Sequence, residues 1–322
     1  MSHHKYISSF QAGESFVGIY IISECFQRTA KNGSVYCDVT LRDKSGSVIA
    51  KYWYPQTNFG AGQFGECKID VEDYRGNTNA VIRSLVTMDD EEIDLGPLVA
   101  LVPGLDDLRV GFPDILESVK DNTCCKILGM IFDNEKFLAR FFEANYDDSV
   151  VYGCVGGLLA RTTHVFQAVE KLLETYPQED EVVRSVALTA AILHGVGSLD
   201  SFGMESHVPA VTVQGKLYGI PLSSVLRVHF AIKVLVSKKE EVDQEIIHRL
   251  IHCIFNQHRA TSVLGGGVAS VPMTVEASVV SEACRMDQVV NNISELISTD
   301  TNNDVFTAFD PNLRRQLFKG EK

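Results

Sequence analysis

Cationic and aromatic side chains are interleaved near the start of the chain, in a pattern that suits contact with single-stranded nucleic acid. The residues concerned are Arg28, Lys31, Tyr36, Arg42, Lys44, Lys51 and Trp53. Cations can follow a phosphate backbone while rings stack on bases, at roughly 1–3 kcal/mol per stacked base. Tyr52 and Trp53 must point to opposite faces of a strand, so some of these rings will fill a core instead. A purely structural or protein-binding role for this face therefore stays open.

The residues that would position these side chains have the pattern of short strands. Phe16–Ile22 is rich in β-branched and aromatic residues, and Val35–Leu41 alternates with period two. Further strands are expected at Ser47–Trp53, near 67–71 and near 79–84. Five short strands with turns at this spacing predict an OB-type β-barrel in residues 1–88.

The rest of the chain is predicted to be helical. Residues 89–110 begin with an acidic stretch that ends in Gly96-Pro97, which favours a solvated linker. Beyond it, apolar residues recur at helical spacing, as in Val165, Val169 and Leu173. We therefore expect an all-helical domain over 111–298 and a polar, loosely held tail over 299–322. The predicted fold class is multi-domain, a β domain followed by an all-α domain.

Charge and cysteine content limit the possible functions. The net charge of −13 argues against a protein that coats nucleic acid with its whole surface. Residues 1–88 carry nine Lys and Arg against eight Asp and Glu, which leaves 20 basic and 34 acidic residues for the remainder. A polyanion should therefore meet the N-terminal third first. The eight cysteines have no regular spacing, so we expect reduced thiols. No run of 18 apolar residues occurs, so we expect no membrane contact. The N-terminal residues lack an apolar signal core, and we therefore expect a cytoplasmic protein.

Familiar catalytic motifs are weak or absent in the sequence. Gly265-Gly266-Gly267 lacks the Lys-Ser/Thr pair of a phosphate-binding loop and is interpreted as a turn. No Gly-x-Ser-x-Gly elbow occurs.

Two glycine-led segments resemble the paired metal-ligand helices of HD-type phosphohydrolases. The first runs from Gly156-Gly157 to Arg161, and the second is His194-Gly195-Val196-Gly197-Ser198. The usual wording would be Gly-Gly-Leu-Leu-x-His for the first and Leu-His-Asp-Ile-Gly-Lys for the second. Arg161 stands where the first His belongs, Gly195 where the Asp belongs and Ser198 where the Lys belongs.

The wider chain, from about Ile7 to Leu296, resembles the YhaM-type 3′–5′ exoribonucleases. The matching segments are Arg28–Gly33, Leu41–Gly46, Ala50–Trp53, Gly215–Ile220, Ile254–Arg259 and Pro272–Ala277. The resemblance implies an OB domain whose strands two and three hold a single strand, followed by an HD domain with a divalent metal such as manganese.

The resemblance also implies a ligand set, and this chain keeps little of it. His194, His258 and Asp287 survive, whereas Arg161, Gly195, Ile220, Gln257 and Cys284 do not match, and Val151-Tyr152 stands about where the family has a further His pair. Arg161 would place a positive charge in the pocket. Such a charge about 4 Å from a divalent ion would weaken binding of the ion by about 8 kcal/mol at an effective dielectric near 20. The leading hypothesis is therefore a pseudoenzyme with no metal and no catalytic residue, which binds single-stranded nucleic acid or acts as an assembly or inhibitory partner.

Two other hypotheses remain. His164 and Cys284 could rebuild a metal site, for zinc more readily than for manganese, in an active metal-dependent 3′–5′ exonuclease with relocated ligands. Alternatively, the chain is a protein–protein adaptor that binds no nucleic acid. A protein partner or a homo-oligomer is possible under each hypothesis.

Overall fold

The structure is a computed structural model of the full chain. It describes residues 4–30, 33–53, 59–60, 62–74, 77–88, 93–149, 151–177, 180–205, 208–257, 271–300, 304–311 and 313–320. The chain divides into two compact units, Met1–Leu101 with Gly203–Ala210, and Val102–Phe202 with Val211–Lys322.

The first unit contains a closed five-stranded barrel. Its strands are β1 (Ser15–Thr29), β2 (Val35–Asp43), β3 (Gly46–Trp53), β4 (Phe64–Tyr74) and β5 (Asn77–Met88). They pair in the order β1-β2-β3-β5-β4, and antiparallel pairing of β1 with β4 closes the barrel. This is the OB-type barrel that the sequence predicts.

The barrel core is built by strand alternation. On β2, Cys37, Val39 and Leu41 are buried while the residues between them are only partly covered. On β3, Tyr52 is 8% exposed and belongs to the core, whereas Trp53 is 36% exposed and points outward. The strand period of two therefore separates the two neighbouring rings.

The residues after β5 depart from the predicted linker. Leu98 is 3% exposed and packs with Ile21 and Phe64, and Ile93 and Val99 lie against the same cluster. The described part of the acidic stretch is thus anchored on the barrel unit by apolar contacts rather than extended in solvent. Residues 89–92 lie outside the described residues.

The second unit is built mainly of helices. They are α1 (Leu105–Glu117), α2 (Asn122–Phe132), α3 (Glu135–Glu143), α4 (Gly157–Thr175), α5 (Glu181–Leu193), α6 (Ser198–Ser201), α7 (Val213–Ser237), α8 (Gln244–Phe255) and α9 (Val275–Thr299). Side chains that accept hydrogen bonds from the first turn begin several of them, as Asp121 does at α2, Asp180 at α5 and Thr274 at α9.

Three details differ from the sequence prediction. Helix α1 begins at Leu105, inside the predicted linker. A short two-stranded sheet, β6 (Phe202–Glu205) with β7 (Val208–Val211), interrupts the predicted all-helical region. Helix α7 is kinked at Gly219, whose φ of 65° lies in the left-handed region that favours glycine, so its regular part follows that residue.

The predicted loose tail is folded where the structure describes it. Phe306 pairs with Phe318 and Asp310 with Arg315 as isolated bridges. Thr307 and Leu317 are buried, and Lys319 Nζ lies 2.6 Å from Asp300 Oδ1. The tail is therefore a small hairpin tied to the end of α9.

Two helical stretches are long and apolar enough to cross a membrane by composition alone. They are Glu181–Ser201, which is mostly buried inside the helical unit, and Val213–Ser237, of which about a third is buried. The first stretch forms part of the core of the helical unit. The second was not expected from the sequence, in which no uninterrupted run of 18 apolar residues occurs.

The turn between β2 and β3 depends on one buried carboxylate. Asp43 is 2% exposed, and its oxygens accept hydrogen bonds from Ile7 N at 2.8 Å, Ser45 N at 2.7 Å and Ser45 Oγ at 2.6 Å. It thereby fastens the N-terminal segment to the turn.

We expect Asp43→Ala to lower the free energy of unfolding of the barrel by about 1–3 kcal/mol, because the buried Ile7 N–H loses its acceptor. Urea unfolding followed by the fluorescence of Trp53, the single tryptophan, measures this. Glu66→Ala removes an exposed carboxylate from β4 and should change stability by less than about 0.5 kcal/mol. Equal effects of the two substitutions would contradict the role of Asp43.

Candidate functional site

Helix α4 begins in close contact with the loop before it. A Cβ on Gly157 would lie 2.0 Å from the carbonyl oxygen of Tyr152, so only glycine allows this approach. The contact holds Tyr152 against the first turn of α4, and Tyr146 N donates to Tyr152 O at 2.9 Å. Both tyrosine rings thereby lie beside Arg161, the position at which the family wording predicts a histidine.

Arg161 is buried and paired with a carboxylate on α9. Its side chain is 3% exposed, and Nη1 donates to Asp287 Oδ2 at 2.6 Å. The guanidinium carbon lies 4.3 Å from the ring centroid of Tyr146 and 5.6 Å from that of Tyr152. Although burial lowers the pKa of Arg161, the neighbouring Tyr146, Cys284 and Asp287 raise it above its ordinary value, so the positive charge is fixed.

The other oxygen of Asp287 is also occupied. Tyr152 Oη donates to Asp287 Oδ1 at 2.7 Å, and Asn291 Nδ2 donates to the same oxygen at 3.1 Å. Tyr152 Oη additionally lies 2.8 Å from His164 Nδ1. Burial and then the Asp287 carboxylate raise the pKa of Tyr152, so its hydroxyl stays protonated and continues to donate. The surviving carboxylate is thus fully engaged by protein groups.

His194, the other surviving position that the structure describes, lies at the C-terminal end of α5. Its Nδ1 donates to Ala191 O at 2.7 Å, and its ring centroid is 6.0 Å from that of Tyr146. Its own carbonyl accepts from Ser224 Oγ and from Gln257 Nε2. Gln257 therefore holds the end of α5. His258 lies outside the described residues.

Cys284 and Gly195 are two more of the positions that differ from the family wording. Cys284 is fully buried, and burial raises the pKa of its thiol to about 12, so it is neutral near pH 7. A Cβ on Gly195 would meet Leu158 Cδ1 at 3.0 Å and Tyr146 Cε2 at 3.1 Å. A larger side chain at 195 therefore requires Leu158 and Tyr146 to shift by a few tenths of an ångström.

One cavity of about 190 Å³ lies beside the Arg161 side chain. Its lining residues are Tyr146, Asp147, Ser149, Val151, Tyr152, Arg161, Ile220, Gln288, Asn291 and Asn292. Four positions that differ from the family wording, 151, 152, 161 and 220, therefore converge in space. No group of three or more His, Cys, Asp or Glu that could hold a metal ion occurs among the described residues.

The residues present do not fit a divalent metal. Asp287 already accepts hydrogen bonds from Arg161, Tyr152 and Asn291, so its oxygens are occupied, and an ion bound beside it would stand next to a permanent cation. His164, proposed as a substitute ligand, is half exposed and bonded to Tyr152. Instead, the Arg161 guanidinium neutralises the charge of the Asp287 carboxylate.

Sequence reasoning missed two members of this cluster. Asn291 lies four residues after Asp287 and so shares its helix face, a spacing that could have identified it. Tyr146 carries no comparable signal, because its position depends on the absent side chain at Gly195.

The barrel brings together four of the predicted nucleic-acid-binding residues. Arg28 lies opposite Tyr36, and Tyr36 lies opposite Trp53, across three adjacent strands. The Tyr36 and Trp53 rings are 4.9 Å apart at 35°, and Lys51 Nζ is 6.0 Å from the Tyr36 ring centroid. Arg28 also forms an ion pair with Asp38, which neutralises part of its charge.

The other predicted residues are separate from this group. Arg42 and Lys44 lie toward the far end of β2, about 20 Å from Tyr36 at roughly 3.3 Å per strand residue. Lys44 Nζ stands 5.2 Å from the ring centroid of Tyr6. Lys31 lies outside the described residues. The continuous outward patch is therefore Arg28, Tyr36, Lys51 and Trp53, which we call the aromatic face.

Comparison with known proteins finds relatives along most of the chain. It is 22% identical over 311 residues to 3′-5′ exoribonuclease YhaM of Listeria welshimeri, covering 91% of each chain. It is 22% identical to the protein of the same name from Bacillus pumilus, covering 89% of each, and 21% identical to that of Geobacillus sp., covering 91% of this chain and 88% of the relative. No family model matches the sequence.

Two solved structures of a replication protein A domain from Methanococcus maripaludis, one titled as its second OB-fold domain, align with 13% identity and a TM-score of 0.24. They cover 27% and 28% of this chain. The predicted resemblance is confirmed: the chain is similar to the YhaM-type 3′–5′ exoribonucleases over about nine-tenths of its length.

Proposed function

We propose that this chain binds single-stranded nucleic acid through the aromatic face of its barrel and does not hydrolyse it. The observation that carries the proposal is the buried Arg161–Asp287 ion pair, which places a fixed positive charge where the family wording has its first histidine. The relatives are named exoribonucleases, which supports nucleic acid as the ligand class.

The aromatic face supplies both kinds of contact that a single strand needs. Trp53 and Tyr36 offer adjacent rings for bases, and Lys51 offers a cation beside them. The barrel segment also lacks the acid excess of the remaining chain. Stacking is tolerant of sequence because every base has a π-face, so we expect little base preference.

The described part of the helical unit is poorly suited to metal-dependent hydrolysis. A hydrolytic metal must be held firmly and must lower the pKa of a bound water. Here the positively charged Arg161 side chain is bound to the Asp287 carboxylate, and the thiol of Cys284 is neutral. The alternative of an active exonuclease with relocated ligands would require His164 and Asp287 to exchange their present partners.

We expect no shortening of a single-stranded RNA or DNA oligonucleotide with Mn²⁺, Mg²⁺ or Zn²⁺. A denaturing gel of end-labelled oligonucleotide measures this, with His194→Ala prepared in parallel. Shortening from the 3′ end that His194→Ala abolishes would refute the proposal, whereas shortening that persists in His194→Ala would identify a contaminating nuclease.

We expect Arg161→Met to lower the free energy of unfolding of the helical unit by about 3–5 kcal/mol, because it leaves Asp287 buried without its cation. The double variant Arg161→Met with Asp287→Leu removes both charges and should recover most of that loss. Thermal and urea unfolding followed by circular dichroism compare the two. A double variant no more stable than the single one would contradict the structural role of the pair.

For the barrel, Trp53→Ala should weaken oligonucleotide binding by roughly 1–3 kcal/mol with little change in salt dependence. Lys51→Ala should flatten the slope of log K against log salt by about 0.7, the value for one single-strand phosphate contact. Fluorescence anisotropy of a labelled oligonucleotide at several salt concentrations measures both.

Matched controls exist for each of these substitutions. Tyr176→Ala removes an aromatic ring of 64% exposure from the helical unit, and Lys68→Ala removes an exposed lysine from β4. Both should bind as the parent does. Wild-type protein that fails to bind at low salt, where attraction is least screened, would leave the adaptor hypothesis.

A further inference from the structure

The cavity at the former metal position has the size of a single ring. Its volume of about 190 Å³ corresponds to about six water molecules at roughly 30 Å³ each. Arg161, Tyr146 and Tyr152 are buried residues of its lining, while Gln288 and Asn292 are exposed at its opening. One heterocyclic ring fits this space, and the rest of a nucleotide would extend through the opening.

The charges around the cavity disfavour a phosphate. Arg161 contributes +1, and its partner Asp287 cancels that charge. Asp147 also lines the cavity and accepts from Ser149 N and Ser149 Oγ. Burial raises the pKa of Asp147, so the sum is −1 when Asp147 is ionised and zero when it is protonated. Neither state supplies the net positive charge that would attract a phosphate group of about −1.5 to −2.

Amide groups converge on the same opening. Gln288, Asn291 and Asn292 occupy neighbouring positions on one face of α9, three and four residues apart. An amide offers both donors and an acceptor, the combination that reads the edge of a nucleobase. Gln288 and Asn292 form no hydrogen bond within the described part of the chain, so both are available to a ligand.

We propose that this cavity binds one uncharged heterocyclic ring of the nucleobase class, held by the amides of α9, and that it excludes phosphate. The ring can come from a free nucleoside or from a base at the end of a single strand. This inference rests on the proposed function, since it assigns a ligand to the site that no longer carries a metal.

The test uses the full chain and isothermal titration with adenosine, cytidine, their 5′-monophosphates and inorganic phosphate. We expect saturable binding of at least one nucleoside, weaker binding of its monophosphate and none of inorganic phosphate. The double variant Gln288→Leu with Asn292→Leu should lose about tenfold or more in affinity, because two hydrogen bonds to the ring disappear. Gln244→Leu, which removes an exposed amide from α8, is the matched control and should bind as the parent does.

Two further arms separate the sources of the ring and the possible failures. A short oligonucleotide whose terminal residue is abasic should bind more weakly than the intact one if the ring comes from a strand end, and equally if the free nucleoside is the ligand.

Phosphate binding tighter than nucleoside binding, or no nucleoside binding, would overturn the inference. If Trp53-dependent oligonucleotide binding persists in that case, the proposed function survives it. If oligonucleotides fail to bind in every arm, the proposed function fails instead.

Discussion

The helical unit depends on a charge pair at its centre. Arg161 on α4 and Asp287 on α9 meet at 2.6 Å with side chains that are 3% and 7% exposed. Neither charge is tolerable alone at that depth, because an unpaired buried ion costs several kcal/mol. Tyr152 and Asn291 complete the carboxylate's hydrogen bonds, and Tyr146 places its ring over the guanidinium. Tyr146, Tyr152, α4 and α9 are thus held together around this pair by hydrogen bonds and electrostatic contacts.

The two units of the chain differ in how they meet a polyanion. The barrel has nearly balanced charge and presents its rings on an outward strand face. The remainder carries a surplus of carboxylates, and its cavity is neutral or negative. The surplus of carboxylates therefore repels a polyanion from the second unit more than from the barrel.

Much of the fold is predictable from the sequence, because strand and helix periods are local. The five strands of the barrel and the opposite orientations of Tyr52 and Trp53 follow from the period of two. Which of the two rings points outward is known only from the structure. The departures from the family wording are also visible in the sequence at Arg161, Gly195 and Cys284. The neighbours of these positions are not visible there, because Tyr146 and Asn291 reach the site only through tertiary packing. The contact of Leu98 with the barrel was hidden by the acidic residues before it.

The packing of Tyr146 and Leu158 against Gly195 also limits how substitutions at this site combine. A Cβ at 195 would lie 3.0 Å from Leu158 Cδ1 and 3.1 Å from Tyr146 Cε2, so a larger residue there requires these two side chains to shift by a few tenths of an ångström. Replacing Arg161 by an uncharged residue would leave Asp287 buried without its cation. The ring of Tyr146 links the two positions, because it lies against Gly195 and also over the Arg161 guanidinium. Substitutions at 161 and 195 are therefore expected to be non-additive, since each changes the surroundings of the same ring.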